Sequence, residues 1–167
     1  IELCLNHKLS SEITLQPIKR FDLDAAIIFS DILMLPYGLN QKVEFKKNFG
    51  PTLSNLDISS MSKIDEIDFV EKIYPVYKAI KFVSTEMDSK NKNTIGFVGA
   101  PWTLLVYMIN QQSPKKNVKK DFFKDDFLIN RILLIIEKFL KIHIKYQIEN
   151  GANVIQIFDS WAGLLQE

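Results

Sequence analysis

The chain has 167 residues, 47% of them hydrophobic and 25% charged, which is enough for one domain with a buried core and too apolar for a disordered segment. With 21 basic and 20 acidic side chains the formal charge is +1, which argues against a nucleic-acid footprint or a strongly basic membrane-binding surface. The lone cysteine, Cys4, has no internal disulfide partner, so a reducing, cytoplasmic setting is expected, and no apolar run approaches a membrane span of about 18 residues.

The sequence starts at Ile1-Glu2-Leu3, which is neither a methionine nor a signal peptide, and stops at Glu167 just after an apolar run. The expectation is therefore an incomplete single domain over residues 1–167, with parts missing at both ends. Residues 25–29 form the first compact apolar run of strand length, closed by Ser30 and Asp31. A helix holding Leu33 and Met34 follows, for which Ser30 or Asp31 is a natural N-cap. Residues 43–53, VEFKKNFGPTL, read as a hairpin with 47–50 as its turn. Ile73, Val76, Tyr77, Ile80, Val83 and Met87 recur at three- and four-residue steps, marking one face of a helix. Residues 94–98 are the second strand, left through Gly99-Ala100-Pro101. After Pro114, the lysines Lys115, Lys116, Lys119 and Lys120 read as a solvated loop, with attraction of an anionic substrate as the alternative. The next helix carries two apolar stripes, one through Leu128, Ile132, Ile135, Phe139, Ile142 and Tyr146, the other through Ile129, Leu133, Ile136, Leu140 and Ile144. Cover on two sides is expected for it, and Asn150-Gly151 is a left-handed stop. Val154–Phe158 is the third strand.

Apolar strands separated by helices indicate an α/β fold with parallel strands. Continuous apolar runs predict strands buried on both faces. A (β/α)8 barrel and an open doubly wound sheet both fit, and periodicity does not choose between them. In either, ligands sit at the carboxyl ends of the strands, so Asp31, Tyr107 and Ser160 are candidates to converge on one cleft. Asp31 has nearly all-apolar neighbours, and a carboxylate there is costly unless donors meet it. Two readings stay open for it, a helix cap or a functional charge, and Asp159 carries the same ambiguity. Cys4 and His143 read as packing or surface residues, and Trp102 and Trp161 as core. The sequence has no GxGxxG, GxxxxGK[ST], HExxH or CxxC pattern, which counts against nucleotide, zinc or thiol chemistry in this stretch.

Three motifs together carry a resemblance: residues 15–33, LQPIKRFDLDAAIIFSDIL; residues 96–104, GFVGAPWTL, followed by Tyr107-Met108; and residues 151–163, GANVIQIFDSWAG. They resemble, in order and spacing, signatures of the uroporphyrinogen decarboxylase family. The resemblance implies part of a (β/α)8 barrel, about three of the eight strands with their helices. It implies removal of carboxyl groups from the four acetate arms of uroporphyrinogen III to give coproporphyrinogen III, with no metal or organic cofactor, in a cytoplasmic homodimer. Asp31 would then be the catalytic residue and bind the pyrrole N–H groups, its pKa raised by desolvation while the cleft is empty. Tyr107 and Ser160 would bind substrate carboxylates, and Phe97 and Phe158 would flank the macrocycle. Two departures stand out. Asn110-Gln111-Gln112 replaces a usually glycine-rich stretch, which puts that loop's conformation in doubt. The family's arginine motif, expected ahead of residue 1, and a histidine near its C-terminus fall outside this sequence, so the chain alone is expected to be inactive and poorly folded. The alternatives are a corrinoid-dependent methyltransferase of the same superfamily, which would use His and Cys zinc ligands, and a truncated copy without catalysis.

Overall fold

The computed structural model describes residues 1–46, 50–114 and 124–164. The lysines Lys115, Lys116, Lys119 and Lys120, and most of the hairpin turn, lie outside the described residues. Three parallel strands form the central sheet: β1 (Ala25–Ile27), β4 (Asn93–Gly99) and β5 (Val154–Phe158), in spatial order β1-β4-β5. Ile27 pairs with Ile95, and Phe97 with Gln156. A separate antiparallel hairpin, β2 (Val43–Lys46) and β3 (Gly50–Leu53), sits where the sequence places it.

Two long helices provide the connections, α4 (Glu66–Asp88) and α6 (Asp126–Glu149). Each starts at an aspartate whose carboxylate accepts the N–H three residues on, Asp65 from Asp68 (2.8 Å) and Asp125 from Leu128 (3.0 Å). In α4 the whole expected face is buried, from Ile73 to Met87. In α6 burial runs between the two expected stripes, through Ile129, Ile132, Ile136, Phe139 and Leu140, and ends on the polar side chains His143 and Gln147. Gly151, at φ +106°, closes α6 in the left-handed conformation expected of it.

Both helices pack against β4 and against each other, so they cover the same face of the sheet. Sequential strand order with its helices on one side is the arrangement of a barrel, and the described strands show no reversal of the kind that makes a doubly wound sheet. The expectation of strands buried on both faces needs correction. Ala26, Ile28, Thr94 and Val98 on the helix side are buried, but on the opposite face Ile27 is 60% and Phe158 41% exposed. Nothing in the described residues covers that face.

The helix α1 (His7–Arg20) has no counterpart in the hydrophobic pattern. Its buried side is largely hydroxylic, Ser10, Ser11 and Thr14 ahead of Leu15 and Ile18, so apolar periodicity is silent there. The described residues also contain the shorter helices α2 (Met34–Gly38), α3 (Ile58–Met61) and α5 (Pro101–Asn110) and a 3-10 turn at Ala162–Leu164. Among the described residues no helix is long and apolar enough to cross a membrane.

Candidate active site at the carboxyl ends of the strands

Because the strands are parallel, Phe29-Ser30-Asp31, Gly99-Ala100-Pro101 and Phe158-Asp159-Ser160 all emerge at one end of the sheet. The first of these loops is held by α1. Ser10 Oγ donates to Phe29 O (2.7 Å), and Phe29 N–H donates to Thr14 Oγ1 (2.8 Å). The hydroxyl face of α1 thus satisfies the backbone at the point where β1 leaves β4.

Asp31 is half-buried. Leu33 N–H donates to its Oδ1 (2.8 Å), and among the described residues this is the only hydrogen bond its carboxylate receives. The reading as a helix cap is corrected here. The bond closes a turn two residues long, and α2 starts at Met34 with Leu33 as its N-cap. Burial pushes the Asp31 carboxyl above its ordinary pKa, with the Leu33 N–H opposing. The nearby Cys4 thiol is raised too, first by its own burial and then by the charge of Asp31. Cys4 is a packing residue, 6% exposed.

The other two loops are tied to each other. Ala100 N–H donates to Phe158 O (2.8 Å). The fully buried Thr103 donates from Oγ1 to Asp159 Oδ1 (2.7 Å) and accepts from Trp161 N–H (3.0 Å). Trp102 Nε1 donates to Trp161 O (3.0 Å). Thr103 thereby ties Asp159 to α5, and Ser160 is exposed beside it. Trp102 and Trp161, read as core, are partly buried struts of these loops.

Of the five residues singled out in the sequence, two meet directly. The rings of Phe97 and Phe158 stand 5.6 Å apart at 74°, edge to face, and strand alternation puts both on the open face. Tyr107 reaches the loop of Ser160 through the Trp161 ring, at 6.2 Å between centroids. Asp31 stands on the far side of β4, where its neighbour Ile32 packs against Gly99; a Cβ on Gly99 would lie 3.2 Å from Ile32 Cβ. His143 lies away from this end, buried in the helix layer with its Nδ1 2.9 Å from the Tyr77 hydroxyl. Among the described residues no group of three His, Cys, Asp or Glu side chains is placed to hold a metal.

The departure at Asn110-Gln111-Gln112 has a local solution. Gln111 takes φ +63°, a conformation that favours glycine, as the residue closing α5. Its backbone is used on both sides, donating to Tyr107 O (2.8 Å) and accepting from Leu53 N–H (2.8 Å), while its side chain donates to Asn55 Oδ1 (2.7 Å).

The sequence model of the uroporphyrinogen decarboxylase family (URO-D) matches residues 1–167. The chain belongs to the uroporphyrinogen decarboxylase family. Relatives named uroporphyrinogen decarboxylase include those of Agrobacterium fabrum, 38% identical, and Rickettsia bellii, 41% identical, each matched over 100% of this chain and 49% of its own length. That of Campylobacter jejuni is 40% identical over 99% of this chain and 50% of its own. The chain thus spans about half the length of these uroporphyrinogen decarboxylases. Among solved structures, a methyltransferase from Methanosarcina mazei superposes with a TM-score of 0.76 at 19% identity, over 95% of this chain and 47% of that one. At that identity the likeness bears on the fold alone. It supports the α/β barrel segment described above. Thr103 and the Ser10–Thr14 pair were not singled out from sequence, because buried hydroxyls leave no trace in apolar periodicity.

Proposed function

We propose that this chain is the central part of a uroporphyrinogen decarboxylase barrel and carries the carboxylate on which the reaction turns. The whole protein removes the carboxyl groups of the four acetate arms of uroporphyrinogen III to give coproporphyrinogen III. Asp31 is the catalytic residue. The observation that carries this reading is its half-buried carboxylate at a strand's carboxyl end, raised by burial and met by one N–H. A carboxylate has about four acceptor positions, which suits the converging N–H groups of a tetrapyrrole.

The chemistry follows from charge. Protonation of a pyrrole ring makes a cation; the C–C bond to the carboxylate then breaks, CO2 leaves, and the electron pair neutralises the ring. A second proton on the exocyclic carbon completes the methyl group, and the proton first added to the ring leaves, restoring the pyrrole; overall one proton takes the place of one CO2. A fixed carboxylate beside the ring stabilises the cation through which this passes. Tyr107 and Ser160 bind substrate carboxylates, and the Phe97–Phe158 pair walls the macrocycle with apolar surface. The same reading places the protein in the cytoplasm as a homodimer.

The deciding experiment uses the full-length protein with uroporphyrinogen under anaerobic conditions. Asp31→Asn is expected to abolish product formation with an unchanged circular dichroism spectrum; turnover near wild type would remove Asp31 from the chemistry. Stoichiometric zinc by elemental analysis would instead favour the methyltransferase reading.

A further inference from the structure

Phe97 lies in the middle of β4, yet strand pairing does not account for its backbone. β1 pairs with β4 only as far as Ile27 and Ile95, with one further bond from Ile28 N–H to Ile95 O (3.0 Å). Beyond that point the N–H and C=O of Phe97 face the gap left by the departing strand. Gln147, 1% exposed on α6, fills it. Phe97 N–H donates to Gln147 Oε1 (3.1 Å), and Gln147 Nε2 donates to Phe97 O (3.1 Å). One side-chain amide therefore replaces one residue of a missing strand, satisfying a donor and an acceptor together. The neighbouring residue makes this approach possible. A Cβ on Gly96 would collide with Gln147 Oε1 and stand 3.0 Å from Ile155 Cδ1 and 3.3 Å from Ala152 Cβ.

We infer that Gln147 is a positioning residue: through its two bonds to the Phe97 backbone it sets the Phe97 ring against Phe158 on the open face, and so shapes the wall that receives the tetrapyrrole. This rests on the proposed substrate through the role given to Phe97. Gln147 itself is on the helix side of the sheet and touches no substrate.

The test uses the full-length protein. In wild type the Phe97 amide should exchange its hydrogen slowly, although its acceptor is a side chain and not a strand carbonyl; fast exchange would overturn the clamp. Gln147→Met keeps length and apolar volume but neither hydrogen bond, and Gly96→Ala displaces the amide from the other side. Both should raise KM for uroporphyrinogen about tenfold while kcat stays within about twofold. In a Phe97→Leu background Gln147→Met should add no further rise in KM, because the ring it positions is gone. An unchanged KM in both single variants, or additive effects in the double variant, would reduce Gln147 to a buried support of the fold. If wild-type protein shows no decarboxylation, the proposed function falls while amide exchange still decides whether the clamp exists.

Discussion

Two partly or fully buried titratable groups lie in different parts of this fold, one in the helix layer and one past the carboxyl end of β1, and burial does different things to them. In the helix layer His143 lies against the rings of Phe69 and Tyr77, and the Tyr77 hydroxyl meets its ring nitrogen at 2.9 Å. Burial alone pulls the imidazole down to about 4, so it is a neutral, partnered member of the core. At the strand ends Asp31 is also pushed toward its neutral form by burial, but among the described residues its carboxylate meets a single backbone N–H. One group has its partner inside the fold. The other keeps acceptor capacity in reserve, which is how a binding site differs from a core.

The largest test of this contrast is Asp31→Asn in the full-length protein, expected to lower the decarboxylation rate by at least about 10³-fold. Asparagine retains an acceptor for Leu33 N–H, so the turn survives while the charge is lost.

His143 should reveal itself through pH. Unfolded imidazole takes up a proton as pH falls through its ordinary 6.5, but the folded side chain resists until about 4. Stability is therefore fully present above 6.5 and declines as pH drops toward 4, by up to about 3 kcal/mol. Urea denaturation across that range should show the slope, and His143→Gln should flatten it. A slope that persists in His143→Gln would assign the effect elsewhere.

Thr103→Val removes both the donor to Asp159 and the acceptor for Trp161 N–H. A loss of about 1–2 kcal/mol in unfolding free energy is expected, with a fall in kcat/KM as the Ser160 loop loosens. Smallest of all, Asp31→Asn should stabilise the ligand-free protein at neutral pH by about 1 kcal/mol. The sign follows from the raised carboxyl: its ionised form costs stability above its folded pKa, and asparagine removes that cost. A destabilised Asp31→Asn protein would mean that the charge supports the fold.

Much of this was legible in the chain. The three strands, the hairpin and both long helices follow from apolar period and stop signals, and β5 has the expected bounds of Val154–Phe158. What escaped the pattern is polar. The buried side of α1 is built on Ser10, Ser11 and Thr14, and the buried line of α6 ends on Gln147, because these side chains serve backbone groups rather than an apolar core. Burial of both sheet faces was over-read for a related reason. Apolarity at Ile27 and Phe158 records what such side chains are suited to face, not what covers them.

By itself the sequence determined the family, the parallel α/β layout and the prominence of Asp31, since motif residues and periodicity are local properties of the chain. Only the tertiary structure decided that Asp31 closes a turn instead of capping a helix, that Phe97 and Phe158 form a pair, and that Gln147 stands in for a strand. Those facts depend on which backbone groups the departing β1 leaves without partners, and residues 50 positions apart must meet before that need exists or can be answered.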